Sequence, residues 1–421
     1  MAILPSCLLS SAALPTRLLP SVIEIQESCF ALVYNAYGLR LDQFHVDNLT
    51  LVSCWVPASR GGKPAASPAV SSAAIPAKPP LLLLHGFGAS SLNHWINQLA
   101  AFSRHFDLYI PDLLFFRGSY SRDSRRDERF QAEAMIALMD RLGIQRCAVV
   151  GVSYGGIIAH KMATLFPERV TQLVLGGAGL MLTRDEVQGV LQHWHAKTPP
   201  DLFLPTDPSG LLRLIRLGNN EAPYLPDWLL QDALEVLFEN REEKAGLLEA
   251  SLREAQANAQ HPEGISVPSM PTLLVWGGSD QLFPHCHRPS HAPLLPCPRS
   301  SPLLPPSLPT FPLPTFPLST FTHPPIARTH VSLLPLPPIW HFGSSCRFSR
   351  LPIFPLFTCA PSHCSYAYFC LTPSSLLPLP PSRHFGSSCW LEVIEKGAHA
   401  IQAHKAAAFN SSVLSFLTHH Q

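Results

Sequence analysis

The stretch CAVVGVSYGGIIAHKMATLF, Cys147 to Phe166, decides how this chain is read. Its first part, Cys147 to Val152, is short and almost wholly apolar, the pattern of a strand buried on both faces. Its last part, Ile157 to Phe166, carries apolar residues at helical spacing and stops at Pro167. Between them stands Gly151-Val152-Ser153-Tyr154-Gly155, a G-x-S-x-G sequence. A serine on so sharp a strand-to-helix turn has strained backbone angles and needs small neighbours, which Gly151 and Gly155 supply. The turn lifts its Oγ out at the C-terminal edge of a sheet, and the helix N-terminus behind it favours developing negative charge. The plainer reading is a Gly-rich turn with an incidental serine, and the strand before it and the helix after it weigh against that. Ser153 is therefore the candidate nucleophile.

Working outward, further strands of this kind recur with helical material between them. They are Leu81 to Leu84, Phe106 to Ile110, Val170 to Leu175, Thr272 to Trp276 and Trp390 to Ile394. Phe130 to Leu142 has helical spacing, and Ser28 to Ala58 reads as a short helix and two strands turning at Asp47-Asn48. Strand–helix alternation implies a mostly parallel sheet covered by helices on both sides. Residues 182–269 interrupt it with helices alone. A capping-box pattern, Thr183-Arg184-Asp185-Glu186, starts a helix expected to run toward Lys197, and more helix follows over Gly210 to Leu217 and Pro226 to about Gln260.

Three more positions complete a candidate site. His85-Gly86-Phe87-Gly88 follows a central strand, and Gly86 and Gly88 let backbone N–H groups approach a ligand closely. The expected oxyanion donors are the N–H of Phe87 and that of Tyr154, the residue after the nucleophile. Asp280 lies just beyond the strand Thr272 to Trp276, where a carboxylate can orient an imidazole, although an acid in a surface turn is common. His399 follows the strand Trp390 to Ile394 and is placed to act as general base. The chain holds 20 histidines, so a chance histidine is a serious alternative. His404 and the pair His419-His420 are poorer candidates because they fall in or after a closing helix.

Read together, LLLLHGFGASSLNHW (Leu81 to Trp95), YIPDLLFFRGS (Tyr109 to Ser119), VVGVSYGG (Val149 to Gly156), FPERV (Phe166 to Val170), LLVWGGSDQLFP (Leu273 to Pro284) and LEVIEKGAHA (Leu391 to Ala400) resemble the α/β-hydrolase superfamily. Within it they look more like plant-type hydrolases related to monoacylglycerol lipases, and FLPTDPSGLLRLIRL (Phe203 to Leu217) resembles the cap of such proteins. The resemblance implies a Ser153–Asp280–His399 triad, an oxyanion hole at Phe87 and Tyr154, a helical cap, and ester hydrolysis with no cofactor and no metal. Serine at the elbow argues against epoxide and haloalkane hydrolase relatives, which use Asp there. Two alternatives stay open: a carbon–carbon bond hydrolase using the same triad, and a non-catalytic small-molecule receptor on the same fold.

Residues 287–383 depart from all of this. In these 97 residues there is no Asp, Glu, Lys, Asn, Gln or Met, and 23 of the chain's 44 prolines lie here. LLPLPPIWHFGSSC (Leu333 to Cys346) returns as LLPLPPSRHFGSSC (Leu376 to Cys389), with twelve of fourteen positions identical. Proline this dense forbids helix interiors and central strands, so no packed fold is expected and the block reads as disordered. Its enriched residue types are those with pyrimidine-rich codons, which motivates the hypothesis of a retained intron; a Pro-rich linker is the rival reading, and sequencing of transcripts decides between them. The block widens the gap between Asp280 and His399 to 118 residues, and without it 21 would remain. That is short of a full crossover, so the activity of this chain is an open question.

The resulting order is a leader, first strands and linker (1–79), core (80–181), cap (182–269), core strand with the acid (270–286), Pro-rich block (287–383) and core with His399 (384–421). With 30 basic and 29 acidic residues there is no electrostatic footprint for nucleic acid. No apolar run of 18 residues suggests a membrane span; peripheral membrane contact and oligomeric state are left open. Met1 to Pro20 weakly resembles a transit peptide but is poor in arginine. The 11 cysteines include no CxxC pair, and His285-Cys286-His287 reads as accidental rather than a metal site. Free thiols in an intracellular, reducing location are expected, with a small-molecule ester as the partner.

Overall fold

A computed structural model describes residues 21–58, 78–221, 224–261, 268–283, 377–378 and 389–419. All of them fall within one compact unit of the chain, residues 1–298 with 357–421. The leader, Gly61 to Ala77 of the linker, the His285-Cys286-His287 cluster, His420 and nearly all of the Pro-rich block lie outside the described residues.

Helix α1, Val22–Ala36, begins earlier than the expected Ser28. Its start is set by a capping box: Ser21 Oγ accepts from the N–H of Glu24, and the Glu24 carboxylate accepts from the N–H of Ser21 at 2.9 Å. Strands β1 (Leu39–His45) and β2 (Thr50–Pro57) follow as an antiparallel pair, with the Asp47 carboxylate accepting from Leu49 N–H in the turn. Then come β3 (Pro80–Leu84), β4 (Asp107–Pro111), β5 (Tyr120–Ser121), β6 (Cys147–Val152), β7 (Val170–Gly176), β8 (Thr272–Gly277), β9 (Leu377–Pro378) and β10 (Cys389–Ile394). They form one sheet in the order β1-β2-β4-β3-β6-β7-β8-β10-β9, with β5 beside β2. The centre, from β4 to β10, is parallel, and the antiparallel pairs lie at the two flanks.

Side chains alternate between two faces, as the pleat demands. Leu82 and Leu84 of β3 join Val149, Leu173 and Leu274 in one core with Met135, Met139, Ile158 and Met162 of helices α4 (Glu128–Arg141) and α5 (Tyr154–Leu165). Leu81 and Leu83 join Val150, Val174 and Val275 in a second core. There Trp95 and Phe102 pack with Phe409 and Phe416 of the closing helix, Ala406–His419. All four β3 leucines are at most 1% exposed, each worth roughly 1.5–3 kcal/mol of burial. The four-leucine run is thus explained by a sheet covered on both sides.

Between β7 and β8 the regular elements among the described residues are all helices: α6 (Arg184–His193), α7 (Pro199–Phe203), α8 (Pro208–Asn219), α9 (Asp227–Leu237) and α10 (Arg241–Gln260). Thr183 and Glu186 close the anticipated capping box. The helix stops at His193 rather than near Lys197, because His195 turns left-handed (φ 52°) and Pro199 can only open a new helix, capped by Thr198. Of residues 287–383 the described part is Leu377–Pro378, which pairs antiparallel with Leu391 and Trp390 and makes no packed unit of its own. An outermost strand tolerates proline, because it need not donate to a ladder on both sides. Short elements β5, α2 (Ser91–His94) and α3 (Leu99–Phe102) gave no sequence signal. No helix among the described residues is long and apolar enough to cross a membrane.

Candidate active site

Ser153 sits between β6 and α5 with φ 55° and ψ −123°, a conformation that L-residues rarely adopt. Its neighbours must be glycine for a steric reason. A Cβ on Gly155 would stand 2.2 Å from the Leu84 carbonyl oxygen, and one on Gly151 2.2 Å from the Gly155 oxygen. The Ser153 N–H donates to Gly176 O at 2.7 Å, which pins the turn to β7.

The other two candidates reach it from neighbouring strand ends. Parallel pairing sets Thr272 of β8 opposite Cys389 of β10 and Gly277 opposite Ile394, so the loops bearing Asp280 and His399 emerge side by side. They are laced together by Gly278 N–H to Ile394 O (2.9 Å) and Ser279 N–H to Gly397 O (2.7 Å). His399 Nε2 lies 2.9 Å from Ser153 Oγ, and its Nδ1 lies 2.9 Å from Asp280 Oδ2. The other carboxylate oxygen accepts from the N–H groups of Leu282 (2.8 Å) and Phe283 (2.9 Å), so the acid is held on both sides. His404 stands elsewhere: its Nδ1 accepts from Ala398 N–H at 3.0 Å and braces the loop. His419 bonds its own helix at Ser415 O.

The His85–Gly88 loop approaches the serine closely. A Cβ on Gly86 would come within 3.3 Å of Ser153 Cβ, and Gly88 has φ 75°. His85 is wholly buried, accepts from Leu113 N–H through Nε2 (3.0 Å) and donates from Nδ1 to Gly86 O (2.9 Å). Burial pushes its pKa down to about 4, so it stays neutral and rigidifies the loop. Tyr154 opens α5, so its N–H belongs to the free donors of a helix N-terminus. The Phe87 ring packs edge-on against Phe116, Tyr154 and Phe203.

A pocket opens at Ser153 with walls from Phe87, Leu182, Leu191, Phe203, Leu252 and Phe283, so both the core and the helices of 184–260 line it. Its surface is largely apolar. Two features escaped the sequence reading. The side-chain amide of Asn220 donates to Ser279 O at 2.9 Å, while Ala400 N–H donates to Gly218 O at 2.8 Å. The end of α8 thus touches both loops, and no local pattern could announce such a contact. The second is Ser251, a polar member of the buried α10 stripe Lys244, Leu247, Leu248, Ser251 and Ala255, whose helical spacing was visible. Among the described residues no group of three or more His, Cys, Asp or Glu is arranged to hold a metal.

The family model of the alpha/beta hydrolase fold matches residues 79–301. The chain is 30% identical over 214 residues to the dihydrolipoyllysine-residue acetyltransferase component of the acetoin cleaving system of Pseudomonas putida, covering 49% of this chain and 54% of that one. It is 28% identical over 226 residues to a 2-hydroxy-6-oxononadienedioate/2-hydroxy-6-oxononatrienedioate hydrolase of a Pseudomonas species, covering 48% and 72%. It is 29% identical over 218 residues to Lipase 1 of Psychrobacter immobilis, covering 48% and 63%. The chain therefore spans between 54% and 72% of the length of these relatives.

Proposed function

The chain belongs to the α/β-hydrolase fold family, and from that premise we propose that it is a serine hydrolase acting on carboxylic esters. The hydrogen-bonded line Asp280–His399–Ser153 carries the reading. His399 Nε2 takes the proton of Ser153 as Oγ adds to the ester carbonyl. The N–H groups of Phe87 and Tyr154 hold the oxyanion, and Asp280 stabilises the imidazolium. The carbon–oxygen bond then breaks, the alcohol leaves with the proton from His399, and water hydrolyses the acyl-enzyme by the same route in reverse. In this reading the helices 184–260 act as a cap over a catalytic body formed by residues 80–181, 270–286 and 384–421. The apolar pocket favours a lipophilic ester, of which a monoacylglycerol is one example.

The second reading is a carbon–carbon bond hydrolase, favoured by the similarity to the dienedioate hydrolase. Its diacid substrate would call for cationic partners, and among the described residues lining the pocket there is no Arg or Lys, which supports the ester. A receptor on the same fold would bind ligand without turnover.

The test is fluorophosphonate labelling of the full chain, of Ser153→Ala, and of a version lacking 287–383, followed by an ester screen. Labelling that disappears in Ser153→Ala is the expected result. Absence of labelling in the full and shortened chains, with both folded, would overturn the mechanism and leave the receptor.

A further inference from the structure

The pocket wall is apolar except at a few points, and most of those are already occupied. Ser153 faces His399, and the Glu186 carboxylate accepts from Thr183 N–H at its helix cap. Ser251 is different. It stands on α10 between the pocket residues Leu248, Leu252 and Ala255, and is 6% exposed. Its hydroxyl donates to Glu128 Oε1 of α4 at 2.7 Å. Glu128 is itself 4% exposed and is joined through Glu254 to Lys161. Burial, and then the neighbouring Glu254, hold the Glu128 carboxyl above the usual range.

This arrangement uses up the one hydrogen of Ser251 on the side away from the pocket. What remains on Oγ is acceptor capacity, since a hydroxyl has one donor and two lone pairs. An alkyl chain lying against it would leave that acceptor unmatched, and an unmatched buried polar atom is costly. A wall meant only for hydrocarbon would carry Ala or Leu here, as at Ala255 and Leu248.

We propose that Ser251, oriented by Glu128, is a specificity residue that accepts a hydrogen bond from a hydroxyl on the bound ester. The substrate class is thereby narrowed to lipophilic esters carrying a free hydroxyl, on the acyl chain or on the alcohol. This rests on the ester-hydrolase reading for the identity of the ligand, and its test does not depend on turnover.

The experiment is titration calorimetry of the full chain carrying Ser153→Ala with methyl octanoate, methyl 8-hydroxyoctanoate and glyceryl monooctanoate. One hydroxylated ester is expected to bind about tenfold tighter than methyl octanoate, the gain of one matched hydrogen bond. Whichever does so locates the hydroxyl on the acyl or the alcohol side. Adding Ser251→Ala is expected to erase the preference, and Ser251→Thr to retain it. Equal affinity for all three esters, absence of binding included, would overturn the proposal, as would a preference that survives Ser251→Ala. Should Ser251→Ala not fold, the ratio in the parent chain decides alone. Turnover of methyl octanoate by the chain with Ser153 intact separately tests the hydrolase reading, so either can fail without the other.

Discussion

The two halves of the site are built in opposite ways. Ser153 is positioned by its immediate neighbours, Gly151 to Gly155, wedged between strand ends with no room for a single extra carbon. Asp280 and His399 are 119 positions apart, and their loops meet because β8 and β10 pair in parallel and the end of α8 touches both. The first half is local and sterically over-determined. The second is assembled from distant pieces tied together by several separate hydrogen bonds. A site of this kind is expected to fail abruptly on one side and by degrees on the other.

Gly155→Ala should give the largest effect. The added Cβ meets backbone oxygens of Leu84 and His85, which cannot move without displacing a central strand. A loss of more than about 4 kcal/mol is expected, read as insoluble protein or a collapsed thermal transition; a normal transition would show that the elbow is less rigid than described. Asp280→Asn should spare the fold, since the amide oxygen still accepts from Leu282 and Phe283. It should lower kcat by about 10³–10⁴-fold, because the imidazole loses its tautomer and its counter-charge. Esterase assays with a thermal melt separate this from unfolding.

Asp112 probes the ground under the local half. It accepts from Ser91 N–H at 2.8 Å, and burial pushes its pKa up from 3.8 to about 6. A raised carboxyl pKa means that the folded state binds more protons between pH 4 and 6, so this group's contribution to stability falls as pH rises through that window. Asp112→Asn removes the dependence. The stability difference, variant minus parent, should therefore grow by up to about 3 kcal/mol between pH 4 and 6 and stay flat above. Denaturant titrations across pH check it, and a constant difference would contradict it. The smallest effect belongs to Asn220→Ala, which cuts one tie between α8 and the Asp280 loop. About 1 kcal/mol is at stake, so a fivefold fall in kcat/KM with little change in melting is expected; no fall would mean that the loops hold each other unaided.

Legibility followed the same division. Strands such as Leu81 to Leu84 and Cys147 to Val152 were readable because burial on both faces writes itself as an unbroken apolar run. The glycines around Ser153 were readable because sharp turns demand them. The start of α1 was missed although Ser21 and Glu24 carry the capping-box spacing, and the break between α6 and α7 was missed although Pro199 announces it. The Asn220 contact, the Leu113 N–H on His85 and the Ser251–Glu128 pair left no local trace, since each joins segments far apart in the chain.

Taken alone, the sequence determined which residue stands at the turn, which strands are doubly buried, and that helices interrupt the alternation between β7 and β8. Tertiary structure alone decided that His399 Nε2 stands 2.9 Å from Ser153 Oγ and that His404 is spent bracing the same loop at Ala398 N–H. It also decided that one serine of α10 faces a pocket with its hydrogen already committed to Glu128. The reason is physical: periodicity and steric demand act within a few residues, whereas strand register and helix docking fix which distant side chains meet.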